Sequence, residues 1–342
     1  MKTFTFAPSM FVRIITFGLV LGALCLTAEA QQGTGRAVSP KSQAQVQALL
    51  NQAASAHRQG QNEKALAYYQ QALSIEKAVG DKAGEAATLN SIGGVYSDTG
   101  QPQKALAYYQ QALFSAQAAG AKAGEAGIIN NIGQVYLQTG QSQKALDYFQ
   151  QALPLAQAVG DKSLQAITLN NIGQVYTQTG QPQKAITYYQ QALPLAQAAG
   201  NKAGEAIALG NTGQVYLDTG QPQKALDFFQ QALPLAQAVG DKAGETAILA
   251  NIGGVYLQTG QPQKALDYFH LALPLAQVAG DKAKEDIVLT NIGQVYLDMG
   301  QPQKALDYLQ QALPLAQAAG DKVGEATILS GIDAITKAAS KP

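Results

Sequence analysis

Gly93, Gly133, Gly173, Gly213, Gly253 and Gly293 stand 40 residues apart, and Tyr96, Tyr136, Tyr176, Tyr216, Tyr256 and Tyr296 keep the same step. No copy is shifted by a single residue. A constant period in this range predicts a solenoid, in which each repeat is one supersecondary unit that buries its apolar face against its neighbours. Repetition therefore overrides length as the guide to organisation, since 342 residues would otherwise suggest two or three ordinary domains.

The copy from Asp161 to Gly200 shows what is repeated. Leu169, Ile172, Gly173 and Tyr176 recur at helical spacing, behind Asp161 as N-cap and ahead of Gly180 as the stop. Pro182 suits the first position of a second helix, whose apolar stripe is Ala185, Tyr189, Ala192, Leu193 and Ala196 and whose end is Gly200. Each copy reads as a helical hairpin. Gly173, Ala185 and Ala192 let the two helices approach, and Tyr176 and Tyr189 fill the space around them. A glycine inside a helix costs about 1 kcal/mol against alanine, so close packing has to account for it. Pro154, Pro194, Pro234, Pro274 and Pro314 fall inside the second helix of five copies, where a missing donor and a crowded carbonyl predict a kink. Ser74 and Phe114 at the matching places predict straighter helices.

Departures from the repeat mark the ends. Gln52, Ala53 and Ala56 in the first copy, and Asp333 and Thr336 in a lone last helix, suit caps that face solvent. The organisation expected is seven hairpins over residues 41–320 and a capping helix with tail over 321–342. Residues 31–40, "QQGTGRAVSP", have the composition of a disordered linker.

Residues 1–30 read as an export signal. Lys2 and Arg13 flank an apolar run from Ile14 to Leu26, and Ala28-Glu29-Ala30 is a cleavage signature. The run falls short of the roughly 20 residues that span a bilayer, so a cleaved chain without stable membrane insertion is expected, with an uncleaved anchor as the alternative, in the periplasm or secreted, or in the thylakoid lumen in a photosynthetic source. The single Cys25 lies inside this segment, which leaves no disulfide framework or thiolate nucleophile. Basic and acidic residues number 23 each, and this balance argues against nucleic acid, which demands a basic stripe.

Nothing in the chain spells a catalytic, nucleotide or metal motif, so neither enzyme activity nor a cofactor is expected. His57 and His270 are single departures from the repeat and read as surface substitutions. Glu85, Glu125, Glu205, Glu245, Glu285 and Glu325 recur near the start of the first helix, where they complement its dipole. The tyrosine series is expected to be core.

One stripe suits binding. At 100° per residue, Asn170, Asn171, Gln174, Thr177 and Gln178 share a face of the first helix, away from Leu169, Ile172, Gly173 and Tyr176. Stacking aligns such faces into a ladder of Asn51, Asn131, Asn171, Asn211, Asn251 and Asn291, beside Gln134, Gln174, Gln214 and Gln294, with Ser91 the exception. A carboxamide offers the same donor and acceptor as a peptide bond, so the ladder could hold an extended backbone whatever its side chains. Solvation alone would be served as well by Lys or Glu, which are better helix formers. The alternative is that the amides are merely solvated or bond to a neighbouring helix. Gly94 and Gly254 in place of Gln open room for ligand side chains, Leu137, Leu217, Leu257 and Leu297 add apolar patches, and Asp98, Asp218 and Asp298 tilt the face acidic.

Leu169, Ile172-Gly173 and Tyr176, then Ala185, Tyr189 and Ala192, resemble the tetratricopeptide repeat, with Leu where that motif usually has Trp and with a longer step than its usual 34. The longer step resembles the extended variant of kinesin light chains, of Leu-Gly-Asn-repeat scaffold proteins and of many cyanobacterial and other bacterial repeat proteins. The resemblance covers roughly Gln43 to Leu329 and implies an all-α, right-handed α-solenoid whose first helices line a concave groove. It also implies a non-catalytic protein–protein interaction scaffold. The ligand expected is an extended, neutral to weakly basic segment, since the stripe lacks the Lys or Arg of a carboxylate clamp from Ala87 to Asp298. Two alternatives stay open: an exported accessory or sensing subunit for a separately encoded enzyme resembling CHAT proteases or NB-ARC ATPases, and a passive structural or surface component.

Overall fold

The computed structural model describes residues 39–339, which are all-α and divide into two compact units, 39–199 and 200–339. The expected export signal, Cys25 and residues 31–38 of the expected linker lie outside the described residues, as does the tail 340–342. Ser39 and Pro40, expected to close the linker, instead open the first helix. The Ser39 hydroxyl accepts from the backbone N–H of Ser42 at 3.1 Å, and Pro40 occupies a first-turn position that has no partner to lose.

The first unit holds α1 (Pro40–Arg58), α2 (Asn62–Val79), α3 (Lys82–Asp98), α4 (Pro102–Ala119), α5 (Lys122–Gln138), α6 (Ser142–Ala158), α7 (Lys162–Gln178) and α8 (Pro182–Ala198). The second holds α9 (Lys202–Asp218), α10 (Pro222–Val239), α11 (Lys242–Gln258), α12 (Pro262–Ala279), α13 (Lys282–Asp298), α14 (Pro302–Ala319) and α15 (Lys322–Ala339). In each unit an odd-numbered helix pairs with the even one that follows it, and each even helix packs on the next odd one. The result is a stack of helical hairpins, the α-solenoid that the period predicts.

Local chemistry sets the turns. Asp161 accepts from the N–H of Leu164 at 2.9 Å and caps α7. At the other end Gly180 takes φ +69°, and Gln181 N–H reaches back to the Tyr176 carbonyl at 2.8 Å, closing a Schellman motif. The interior prolines sit in helices that run through them without interruption.

Packing within a hairpin explains the periodic glycine. A Cβ on Gly133 would lie 2.7 Å from the ring of Phe149, and one on Gly253 would lie 2.7 Å from the ring of Phe269. The second helix thus lays a buried aromatic directly on the backbone of the first. The Tyr96 series is only half-buried, contrary to the expectation of core. Tyr176 stacks on Tyr188 at 5.3 Å between ring centres, and the ammonium of Lys184 lies 5.1 Å from the Tyr176 ring centre while donating to Gln181. The same three-layer stack recurs in the other hairpins from α3–α4 to α13–α14, with Phe228 replacing the second tyrosine in α9–α10.

Candidate functional site

The amide stripe lies where one odd-numbered helix meets the next. In the first unit α3 touches α5 and α5 touches α7; in the second α9 touches α11 and α11 touches α13. Helix axes are about 10 Å apart in such contacts, a gap that two facing carboxamides can close. Asn131 donates to Asn90 at 2.9 Å and Asn171 to Asn130 at 3.1 Å, each across one repeat, and Thr168 adds a donor to Asn130. In the second unit Asn251 donates to Gln214 at 3.0 Å.

These bonds correct the picture of an open ladder. Asn171, Asn211, Asn251, Asn291, Gln214 and Gln294 are buried, with exposures of 1–8%. Asn131, Gln134 and Gln174 are half-buried, and only Asn51, which accepts from Gln47, is exposed. The physical reason is the second polar position beside the first. Asn90 and Asn130 stand one residue before the expected rung, and the amides of the next helix find them, whereas Asn170 at the same place is buried without such a bond. The doubled Asn130-Asn131 and Asn170-Asn171 were the signal in the sequence. Leu137 and Leu217 are buried as well, so they do not serve as open apolar patches.

The acidic positions at the helix ends also have local work. Gln214 donates to Asp218 at 2.8 Å and Gln294 to Asp298 at 2.7 Å. Burial pushes both carboxyls above the usual aspartate range, against the pull of their Gln partners. Near the helix starts, Glu125 accepts from Lys122 at 2.8 Å and from Gln117 of the preceding helix at 3.1 Å, and the Lys122 bond holds its carboxyl below the usual range. His57 is more than a surface substitution: its ring bridges Asn62 and Asp98, each at 2.9 Å.

A few polar atoms on this face remain unsatisfied. Gln134 Oε1 on α5, both Asn170 Nδ2 and Oδ1 on α7, and Asn211 Nδ2 on α9 are buried without a hydrogen-bond partner. Such a group costs about 1–3 kcal/mol. Among the described residues no cluster of three or more His, Cys, Asp or Glu could hold a metal ion, and no helix is long and apolar enough to cross a membrane.

The tetratricopeptide repeat model matches residues 45–118, 124–198, 164–238 and 245–318. The chain belongs to the tetratricopeptide repeat family. Repeats of this family are generally scaffolds that bind proteins or peptides. Solved structures show the same fold at low identity. The apo form of the quorum sensor NprR from B. thuringiensis has a TM-score of 0.65 at 16% identity, over 88% of this chain and 94% of that one. Aspartyl phosphate phosphatase F from Bacillus subtilis has 0.63 at 18%, over 81% and 71%. A Rap protein complexed with competence and sporulation factor has 0.55 at 16%, over 86% and 98%. No curated protein matches the chain.

Proposed function

We propose that this tetratricopeptide protein is a non-catalytic scaffold that holds an extended, neutral to weakly basic segment of a partner protein against the amide-bearing face of α3, α5 and α7. The observation that carries this reading is Gln134 on α5, a half-buried carboxamide whose Oε1 has no hydrogen-bond partner. Around it on α3 and α5, Ala87, Asn90, Ser91, Gly94 and Asn131 are half-buried rather than sealed. A main-chain N–H of a docked segment, met by the half-buried Gln134 side chain, would supply the missing partner and recover the desolvation cost. The complex of a Rap protein with competence and sporulation factor supports a scaffold of this fold engaging a separate factor. The signature in residues 1–30 supports a partner met outside the cytoplasm, and the N-terminal sequence of the protein recovered from its source tests that.

A photo-crosslinking residue placed at position 134, with position 270 on the exposed side of α12 as control, tests the docking reading in the native cell. The expected result is one partner segment crosslinked from 134 and not from 270. Equal labelling from both positions, or labelling from 270 alone, would reject it.

A further inference from the structure

The repeats provide their own control for a single place on α3. Where an odd helix of the second unit ends in Asp, the Gln four residues earlier donates to that carboxylate, as Gln214 does to Asp218 and Gln294 to Asp298. Helix α3 also ends in Asp, at Asp98, but the residue four positions earlier is Gly94. A Cβ on Gly94 would meet only the Tyr109 hydroxyl, at 3.9 Å, so the volume that a glutamine side chain occupies elsewhere is open. Gly94 is half-exposed, Tyr109 lies beneath it, and Asp98 stands one helical turn along the same face. Asp98 Oδ2 bonds to His57, while Oδ1 has no partner among the described residues. The notch therefore has a phenol at its base, a carboxylate oxygen at its rim and the shape of a missing hydrogen-bond donor.

We propose that this notch is a subsite for the Lys or Arg side chain of a docked segment, whose charged N–H takes the place of the absent glutamine amide on Asp98. The inference rests on the docking role proposed above and names the feature of the partner that fixes its register. A cation is favoured over a neutral amide because the acceptor is a carboxylate, and charge-assisted bonds are the stronger kind. The stripe carries no Lys or Arg from Ala87 to Asp298 to compete for it.

The test uses the whole chain and an array of fluorescent, otherwise neutral peptides of roughly ten residues, enough to cross three helices. Members differ in having one Arg, Lys, Gln or Glu at each position in turn. The expected result is about a tenfold preference for Arg or Lys over Gln at one position, lost in Gly94→Gln and in Asp98→Asn. Gln is the native residue at this place in α5, α7, α9 and α13, so Gly94→Gln should keep its helicity and melting curve. Neutral peptides that bind without such a preference, or a preference that Gly94→Gln leaves intact, would overturn the subsite and leave the docking role standing. If no peptide binds the parent chain, both fall.

Discussion

Residues 39–199 and 200–339 are written in the same repeat, yet their first helices differ in what they leave open. In α11 every residue from Glu245 to Val255 is buried, and in α9 every residue from Ala206 to Val215. In α3 and α5 the matching face is half-buried at Ala87, Asn90, Ser91, Gly94, Gly127, Asn131 and Gln134. A few substitutions accompany this difference. Gln214 and Gln294 have an Asp four residues on to receive their amides, whereas Gln134 has Gln138. Three residues before the periodic glycine stand Gly210, Ala250 and Thr290 in the second unit but Asn90, Asn130 and Asn170 in the first. One repeat motif can therefore leave its amide face half-buried in α3 and α5 and close it in α9 and α11.

The largest expected effect ignores that distinction. Gly133→Ala and Gly253→Ala each drive a methyl into a buried ring and should cost about 3 kcal/mol in either unit, read by chemical denaturation. A loss confined to one unit would mean that the hairpins are not equivalent in packing.

Next comes a difference peculiar to the first unit. Glu76 is buried at 2% exposure where the matching residues Ala116, Ala156 and Ala196 of the same unit are alanine. Burial pushes its carboxyl up to about 7, helped by the negative charges of Asp81 and Glu85 and opposed by the hydroxyl of Thr88. Its Oε2 has no partner. Because the folded state holds this proton more tightly than the unfolded chain, the stability is full below the ordinary carboxylate range near 4.5 and drains as pH rises through about 7. Glu76→Ala should therefore stabilise the first unit by about 2–3 kcal/mol at pH 8 and not at pH 4. Melting curves at the two pH values check this, and a pH-independent gain would show that charge is not the cause.

A smaller effect separates the amides by role. Asn251→Ala leaves Gln214 Oε1 without its donor and should cost about 1–2 kcal/mol. Gln134→Leu removes an already unsatisfied carbonyl and should change stability by less than about 1 kcal/mol, while weakening capture of the segment that crosslinks at position 134. A large loss of stability from Gln134→Leu would erase the contrast between the two units.

The hairpins, caps and turns were legible because each depends on residues close in sequence, such as Asp161 with Leu164 or Gly180 with Tyr176. Gly133 was legible as a packing glycine, although which ring it met was not. The amide bonds were harder. Asn171 and Asn130 are 41 residues apart, and their meeting depends on how near α5 and α7 come, a distance that the pattern of one helix does not encode. The pairing of His57 with Asp98 escaped notice for the same reason, since the two stand 41 residues apart until the fold sets them side by side.

The stacked tyrosines have a practical consequence. With no tryptophan to swamp their signal, paired phenol rings give all but one of the six stack-bearing hairpins a built-in optical reporter in the near ultraviolet. The Tyr216–Phe228 pair supplies a natural blank for α9–α10, so a chain lengthened or shortened by whole repeats could be followed hairpin by hairpin without adding any dye.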